Sequence, residues 1–183
     1  MPLWRREGFA ENHWSYVADD APVPADGAIM VSLKRWLIER DALSSRAAPV
    51  GVALEAGADA QAHLADLAER PLVALEFAKF ADGRAFSYAR LLRDRHGFRG
   101  ELRAVGDVLI DEIPLMLRCG IDSFEVTDAP TLRALESGHL PGSPLHYQPA
   151  SASDEIRQGT RPWLRVSAAG PTKALSDASR LRT

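Results

Sequence analysis

The sequence predicts an α/β fold in which strands and helices alternate along a mainly parallel sheet, either open or curled into a partial TIM-like barrel. Three observations carry this expectation. Leu72–Phe77 is a short, nearly unbroken apolar run, as in strands covered on both faces. Leu102–Val105 and Ser123–Val126 repeat the signal further along. Helix signals separate these runs, and from Ile29 to Ser137 the order reads βαβαβαβαβα. Strict alternation implies parallel strands joined by right-handed crossovers, with helices over the sheet.

Residues 1–28 read as a polar lead-in, with Trp4 and Trp14 as anchors and PVPADG as a turn-rich approach. Ile29–Val31 is a short first strand. Ser32 then fits an N-cap, with Leu33, Trp36, Leu37 and Leu43 on one helical face. Val50–Leu54 is the next strand. Asp59 opens a helix with an inward stripe of Ala60, Leu64, Leu67 and Ala68. After Leu72–Phe77, Asp82 is placed to accept from the free N–H groups of a helix start. Ala85, Tyr88, Ala89 and Leu92 form the buried face, and Gly97 stops the helix. Gly106-Asp107 repeats the strand-to-helix turn with Asp107 as cap, while Pro114 kinks this helix or restarts it near Glu112. Asp128 and Pro130 begin a last helix, with Leu132 and Leu135 inward and Gly138 at its end. Leu140–Gln148 has room for one more strand. From Ser151 the composition turns small, polar and turn-rich. The expected organisation is a single α/β domain over residues 1–150 and a flexible C-terminal tail over 151–183, with Trp163 as a point where the tail docks.

A chain of 183 residues fits one domain with a real core. A formal net charge of −3 gives no reason to expect nucleic acid or an anionic membrane as partner. No apolar run approaches the roughly 20 residues of a membrane span, and the N-terminal stretch lacks the apolar core of a signal peptide. The expected compartment is the cytoplasm. Cys119 is the single cysteine, which excludes an intrachain disulfide, a CxxC pair and a four-cysteine iron–sulfur site within one chain. Its place after Arg118 and before Gly120 suits a small buried residue.

In a parallel sheet, ligands bind on the loops after the C-terminal ends of the strands. That rule selects Glu55, Glu76, Lys79, Asp82, Gly83, Arg84, Gly106, Asp107, Glu125, Thr127 and Asp128. Such a density of charge must pair internally or with a ligand, and Glu76 with Arg103 on the next strand is one candidate pair. The sharpest candidate is the turn from Lys79 through Gly83 to Arg84. Two cations there flank a capped helix start whose N–H groups and dipole favour an anion. The competing reading is a capped turn with solvated cations, since Asp82 competes with an incoming anion. No GxGxxG follows a strand and no Walker A sequence occurs, so no cofactor is evident. His13, His63, His96, His139 and His146 lack metal-ligand spacing, so no metal is expected.

The residues K-F-x-D-G-R, S-x-A-R-L-L-R, G-E-L-R-A-V-G-D-V-L and R-C-G-x-D-x-F-E together resemble the bacterial family called domain of unknown function 934. The resemblance runs from about Trp4 to Gln148, including Pro24–Gly27. Members tend to be encoded beside sulfite reductase and other sulfate-assimilation genes, and they carry the label of an oxidoreductase involved in sulfite reduction. The chain departs from the family at Ala78, usually proline, and at Gly106–Glu112, where G-D-V-L-I-D-E replaces G-D-V-L-R-D-Q. The resemblance implies a role in sulfite reduction and cysteine biosynthesis. An oxidoreductase, however, needs an electron carrier, and neither a carrier motif nor a redox cysteine pair is present. The leading expectation is therefore a cytoplasmic accessory or binding protein, with sulfite reductase as partner and a small oxyanion as ligand. The alternative is an enzyme acting on a sulfur oxyanion or sulfonucleotide with an external electron carrier. Lys79 and Arg84 would then clamp the anion, and Asp107 or Glu125 would act as acid or base.

Overall fold

The computed structural model describes residues 1–55, 57, 60–78, 82–142, 145–146, 150–151, 155–158 and 161–167. Strands β1 (Leu3–Arg5), β2 (Gly8–Ala10) and β3 (Trp14–Tyr16) precede β4 (Ala28–Ser32), and β5 (Val50–Leu54), β6 (Leu72–Phe77), β7 (Glu101–Gly106) and β8 (Ser123–Glu125) follow. They form one eight-stranded sheet in the order β2-β1-β8-β7-β6-β5-β4-β3. From β3 to β8 neighbours follow chain order and every pairing is parallel. β1 runs antiparallel to β8, and β2 antiparallel to β1. The expected mixed α/β fold with a mainly parallel sheet is what forms.

Because the order of β3 to β8 never reverses, right-handed crossovers put all connecting helices on one face. That face carries Ile29, Val31, Val52, Leu54, Val73, Leu75, Phe77, Leu102, Ala104 and Phe124. They pack with Trp36, Leu43, Tyr88, Ala89, Leu92 and Met116 into the main core. The supporting helices are α1 (Leu33–Ser44), α2 (Arg84–Arg90, continued by a π-helical turn over Leu91–Arg95), α3 (Ile113–Arg118) and α4 (Ala129–Glu136). Among the described residues no helix covers the opposite face, which is the concave side of a curled sheet, a partial barrel. Its small apolar cluster of Met30, Leu72 and Ala74 packs with Trp14, Ala53 and Val105.

Chain connectivity shows how far the curl goes. The edge strands β2 and β3 are joined only by Glu11, Asn12 and His13. Extended chain of that length spans at most about 14 Å. The two edges of the sheet therefore lie close, yet they do not pair with each other, and the link crosses the seam. At the far end of the barrel, Gly106 adopts φ +90°, and a Cβ there would lie 2.8 Å from the Phe77 carbonyl oxygen. Only glycine lets the end of β7 approach β6 this closely.

Several local expectations hold. Ser32 accepts from the Arg35 N–H at 3.0 Å, Asp128 accepts from Thr131 N–H at 2.8 Å, and Gly97 and Gly138 take positive φ at helix ends. α3 starts after Glu112 with Pro114 in its first turn. Others need correction. Asp107 does not cap that helix, because an intervening turn separates it from Ile113. The N-cap of α2 is Gly83; Asp82 lies one residue earlier and accepts from the Arg84 N–H at 3.1 Å. Leu37 is exposed while its neighbour Trp36 is buried, since the helical face turns under Trp36 and Leu43. The expected helix after β5 appears as two 3-10 turns, Ala60–His63 and Ala65–Leu67, although Ala60, Leu64 and Leu67 are buried as expected. Asp59 lies outside the described residues.

The lead-in contains three strands that the sequence reading left out. Within the stretch expected as a tail, β10 (Glu155–Gln158) and β11 (Arg161–Ser167) pair antiparallel, and β11 also pairs with β9 (Leu145–His146). The side chain of Trp163 and all of residues 168–183 lie outside what is described.

Candidate functional site

Register dictates what faces the barrel interior. Leu72, Ala74 and Glu76 of β6 lie level with Glu101, Arg103 and Val105 of β7, and Arg103 lies level with Ser123 of β8. Arg103 is only 1% exposed, so its charge must be met locally. Its Nε and Nη2 donate to Glu101 Oε1 at 3.0 and 2.8 Å, and its Nη1 donates to Glu125 Oε1 at 2.8 Å. Nη1 also reaches Asn12 Oδ1 at 2.8 Å. Asn12 Nδ2 donates back to Glu125 at 3.2 Å, and Asn12 Oδ1 accepts from the Trp14 N–H. Ser123 Oγ donates to Glu101 Oε1 at 2.5 Å, and Arg5 Nη2 donates to Glu101 Oε2 at 2.7 Å. Burial alone would raise the Glu101 pKa, but the hydrogen bonds from Ser123 and Arg103, with the charges of Arg103 and Arg5, hold it below the ordinary range. Arg5 and Arg103 balance Glu101 and Glu125, so the network is neutral.

Glu125, expected as an acid or base, is thus a member of this network. The other expected pair does not form. Among the described residues Glu76 meets no cation, because Arg103 is turned toward Glu101, Glu125 and Asn12 instead. Burial and the nearby charge of Glu55 push Glu76 upward. Tyr16 is raised by burial and by Asp19, Glu55 and Glu76, which gathers these groups at the C-terminal rim. Further round, burial with Asp111 and Asp107 raises Glu112. The rim is acidic.

On that rim, Asp107 is exposed and its N–H donates to the Phe77 carbonyl at 2.7 Å. Arg84 is exposed, and its Nε and Nη2 hold Asp82 at 2.9 and 2.6 Å. Its charge is already met within the turn. Gly83 is exposed beside it, and Lys79 lies outside the described residues. The structure therefore brings Arg84 and Gly83 together, places Asp107 at the end of β7, and holds Glu125 inside. Cys119 is buried, and burial raises its pKa.

At the opposite, N-terminal end of β7 and β8 lies a cleft of about 690 Å3. Arg5 at the end of β1 and Arg6 and Glu7 of the β1–β2 turn face Arg93, Arg99 and Glu101, with Asp122 at the turn into β8. Sequence reasoning missed it because the strand-end rule looks only at the C-terminal side. The available signal was the arginine density of Leu91–Arg103, which reads LLRDRHGFRGELR. Among the described residues, no group of three or more His, Cys, Asp or Glu is placed to hold a metal ion, and no helix is long and apolar enough to cross a membrane.

Fold and interior together define a mixed α/β protein built on a curled, mostly parallel sheet with a charge-balanced network around Arg103 inside it. More specifically, the chain belongs to the family described as "bacterial protein of unknown function (DUF934)", whose model matches residues 51–156. No curated protein and no solved structure matches the chain.

Proposed function

We propose that the chain is an accessory protein of sulfite reduction, serving sulfate assimilation and cysteine biosynthesis by docking on sulfite reductase. The association with sulfite reduction rests on the family resemblance. The docking reading rests on one observation: the polar cluster around Arg103 in the interior is spent on its own members. Arg103 engages Glu101, Glu125 and Asn12, so the inner face serves the barrel and recognition falls to its rim and ends. The test is surface plasmon resonance between the chain and the sulfite reductase of the same bacterium, with sulfite reduction assayed with and without the chain. Saturable binding and a faster reductase are expected, with no turnover by the chain alone. A deletion strain should grow poorly on sulfate and recover on cysteine. Failure to bind, together with an unchanged reductase rate, overturns the reading.

One observation favours a second reading, that of an enzyme acting on a sulfur oxyanion or sulfonucleotide with an external electron carrier. A carboxylic acid with raised pKa beside a second carboxylate, as at Glu76 and Glu55, suits proton transfer. Turnover of sulfite or a sulfonucleotide by the isolated chain with a nicotinamide or flavin donor, lost in Glu76→Gln, would place this reading first.

A further inference from the structure

We propose that the arginine-lined cleft at the N-terminal ends of β7 and β8 binds an oxyanion of the sulfate or phosphate type, free or as a monoester. Four arginines in its walls, Arg5, Arg6, Arg93 and Arg99, face three carboxylates, Glu7, Glu101 and Asp122. The pairing among them is uneven, and that unevenness carries the inference.

Arg93 is committed through all three of its nitrogens. Its Nε donates to the Gly120 carbonyl at 2.9 Å, its Nη1 to the carbonyls of Phe98 and Gly100 at 2.8 and 3.0 Å, and its Nη2 to Asp122. Asp122 accepts from the Leu102 N–H as well, at 2.8 Å. Arg93 thereby fixes two loops of the wall and occupies three carbonyl oxygens that would otherwise repel an anion. Glu101 shares Arg103 with Glu125, and Arg5 completes the charge balance through one of its three nitrogens. Arg5 spends Nη2 on Glu101 and keeps Nε and Nη1 unspent, with its side chain 38% exposed. Arg99 is exposed, and among the described residues it has no ion-pair or hydrogen-bond partner. Two guanidinium groups with unspent donors thus share one cleft. Planar guanidinium forks match the oxygens of sulfate and phosphate better than a point charge does. Glu7, exposed in the same wall, is the carboxylate that an incoming anion must compete with. A volume of about 690 Å3 leaves room beyond a bare tetrahedral ion for the polar body of an ester.

This inference rests on the cleft side chains and not on docking, so either can fail alone. The test is isothermal titration calorimetry of the full chain with inorganic sulfate, sulfite and phosphate, and with adenosine 5′-monophosphate as the ester probe. Saturable binding is expected, weakened about five-fold or more in Arg99→Gln, as the loss of a charge-assisted contact implies. Glu7→Gln should tighten binding, and Arg84→Ala at the other end should leave it unchanged. Arg99 and Glu7 are exposed, so both variants should keep the wild-type circular dichroism spectrum. Tighter binding of the ester assigns the site to a monoester; equal binding assigns it to the free ion. No saturation by any probe, or equal affinity in Arg99→Gln and wild type, overturns the proposal.

Discussion

Arg103 and Glu125 meet at 2.8 Å inside the curled sheet, 1% and 5% exposed at their side chains. Buried pairs of this kind add little net stability over an apolar replacement, but breaking one leaves an uncompensated charge. Arg103→Met leaves Glu125 without a cation and Glu101 with Arg5 alone, so it should cost about 3–5 kcal/mol in urea unfolding. The triple replacement Arg103→Met, Glu101→Gln, Glu125→Gln should recover much of that loss. Equal destabilisation in single and triple variants would show that shape, not charge, governs the site.

Asn12 ties the seam of the barrel. Its side chain bridges Arg103 and Glu125 from the link that joins the two edge strands. Asn12→Ala removes two side-chain hydrogen bonds within the barrel and one to the Trp14 N–H. The expected cost is about 1–3 kcal/mol, and amide exchange should speed up first in Trp14–Tyr16 and Gly8–Ala10, the strands the link connects. Uniform exchange across the sheet would show that Asn12 does not hold the seam.

These two residues also mark what was legible in the sequence. Leu72–Phe77 and Val50–Leu54 were readable to the residue, because a strand buried on both faces shows as an uninterrupted apolar run. The three N-terminal strands were not. Each is only three residues long and sits at or near a sheet edge, and Gly8–Ala10 and Trp14–Tyr16 have no fully buried residue to give a period. The partner of Arg103 was misjudged for a related reason. Adjacency in sequence order suggested Glu76, whereas the curl brings Asn12 and β1 to the same place, and curvature leaves no trace in periodicity. The acidic rim was visible as a list of strand-end residues, but its sign was not, because Asp82 takes up the charge of Arg84.

Cys119 offers a direct check on burial. It is 5% exposed at the end of α3, and burial raises its pKa despite the opposing charges of Arg90 and Arg118. Both features suppress the thiolate that alkylating reagents attack. Native protein should react with iodoacetamide at least about ten-fold more slowly than protein unfolded in urea. Cys119→Ala should fold and keep any partner binding, at a modest cost in stability. Fast native alkylation would place the thiol at the surface.

Glu76 gives a pH dependence whose sign differs from that of Glu101. The folded-state pKa of Glu76 is raised by burial and by Glu55, so the folded chain holds this proton more tightly than the unfolded chain does. Stability from this group is therefore present below the unfolded carboxylate pKa and lost as pH rises through the folded value. Glu101, held below its usual range, behaves oppositely: its contribution is present above the unfolded pKa and lost as pH falls through the folded one. Glu76→Gln should accordingly raise Tm at neutral pH by on the order of a degree or two, with the gain vanishing in acid. Glu55→Gln should give a smaller gain in the same direction, since it removes only the repulsion. A Glu76→Gln protein less stable than wild type at neutral pH would mean that the carboxylate is held by a cation after all.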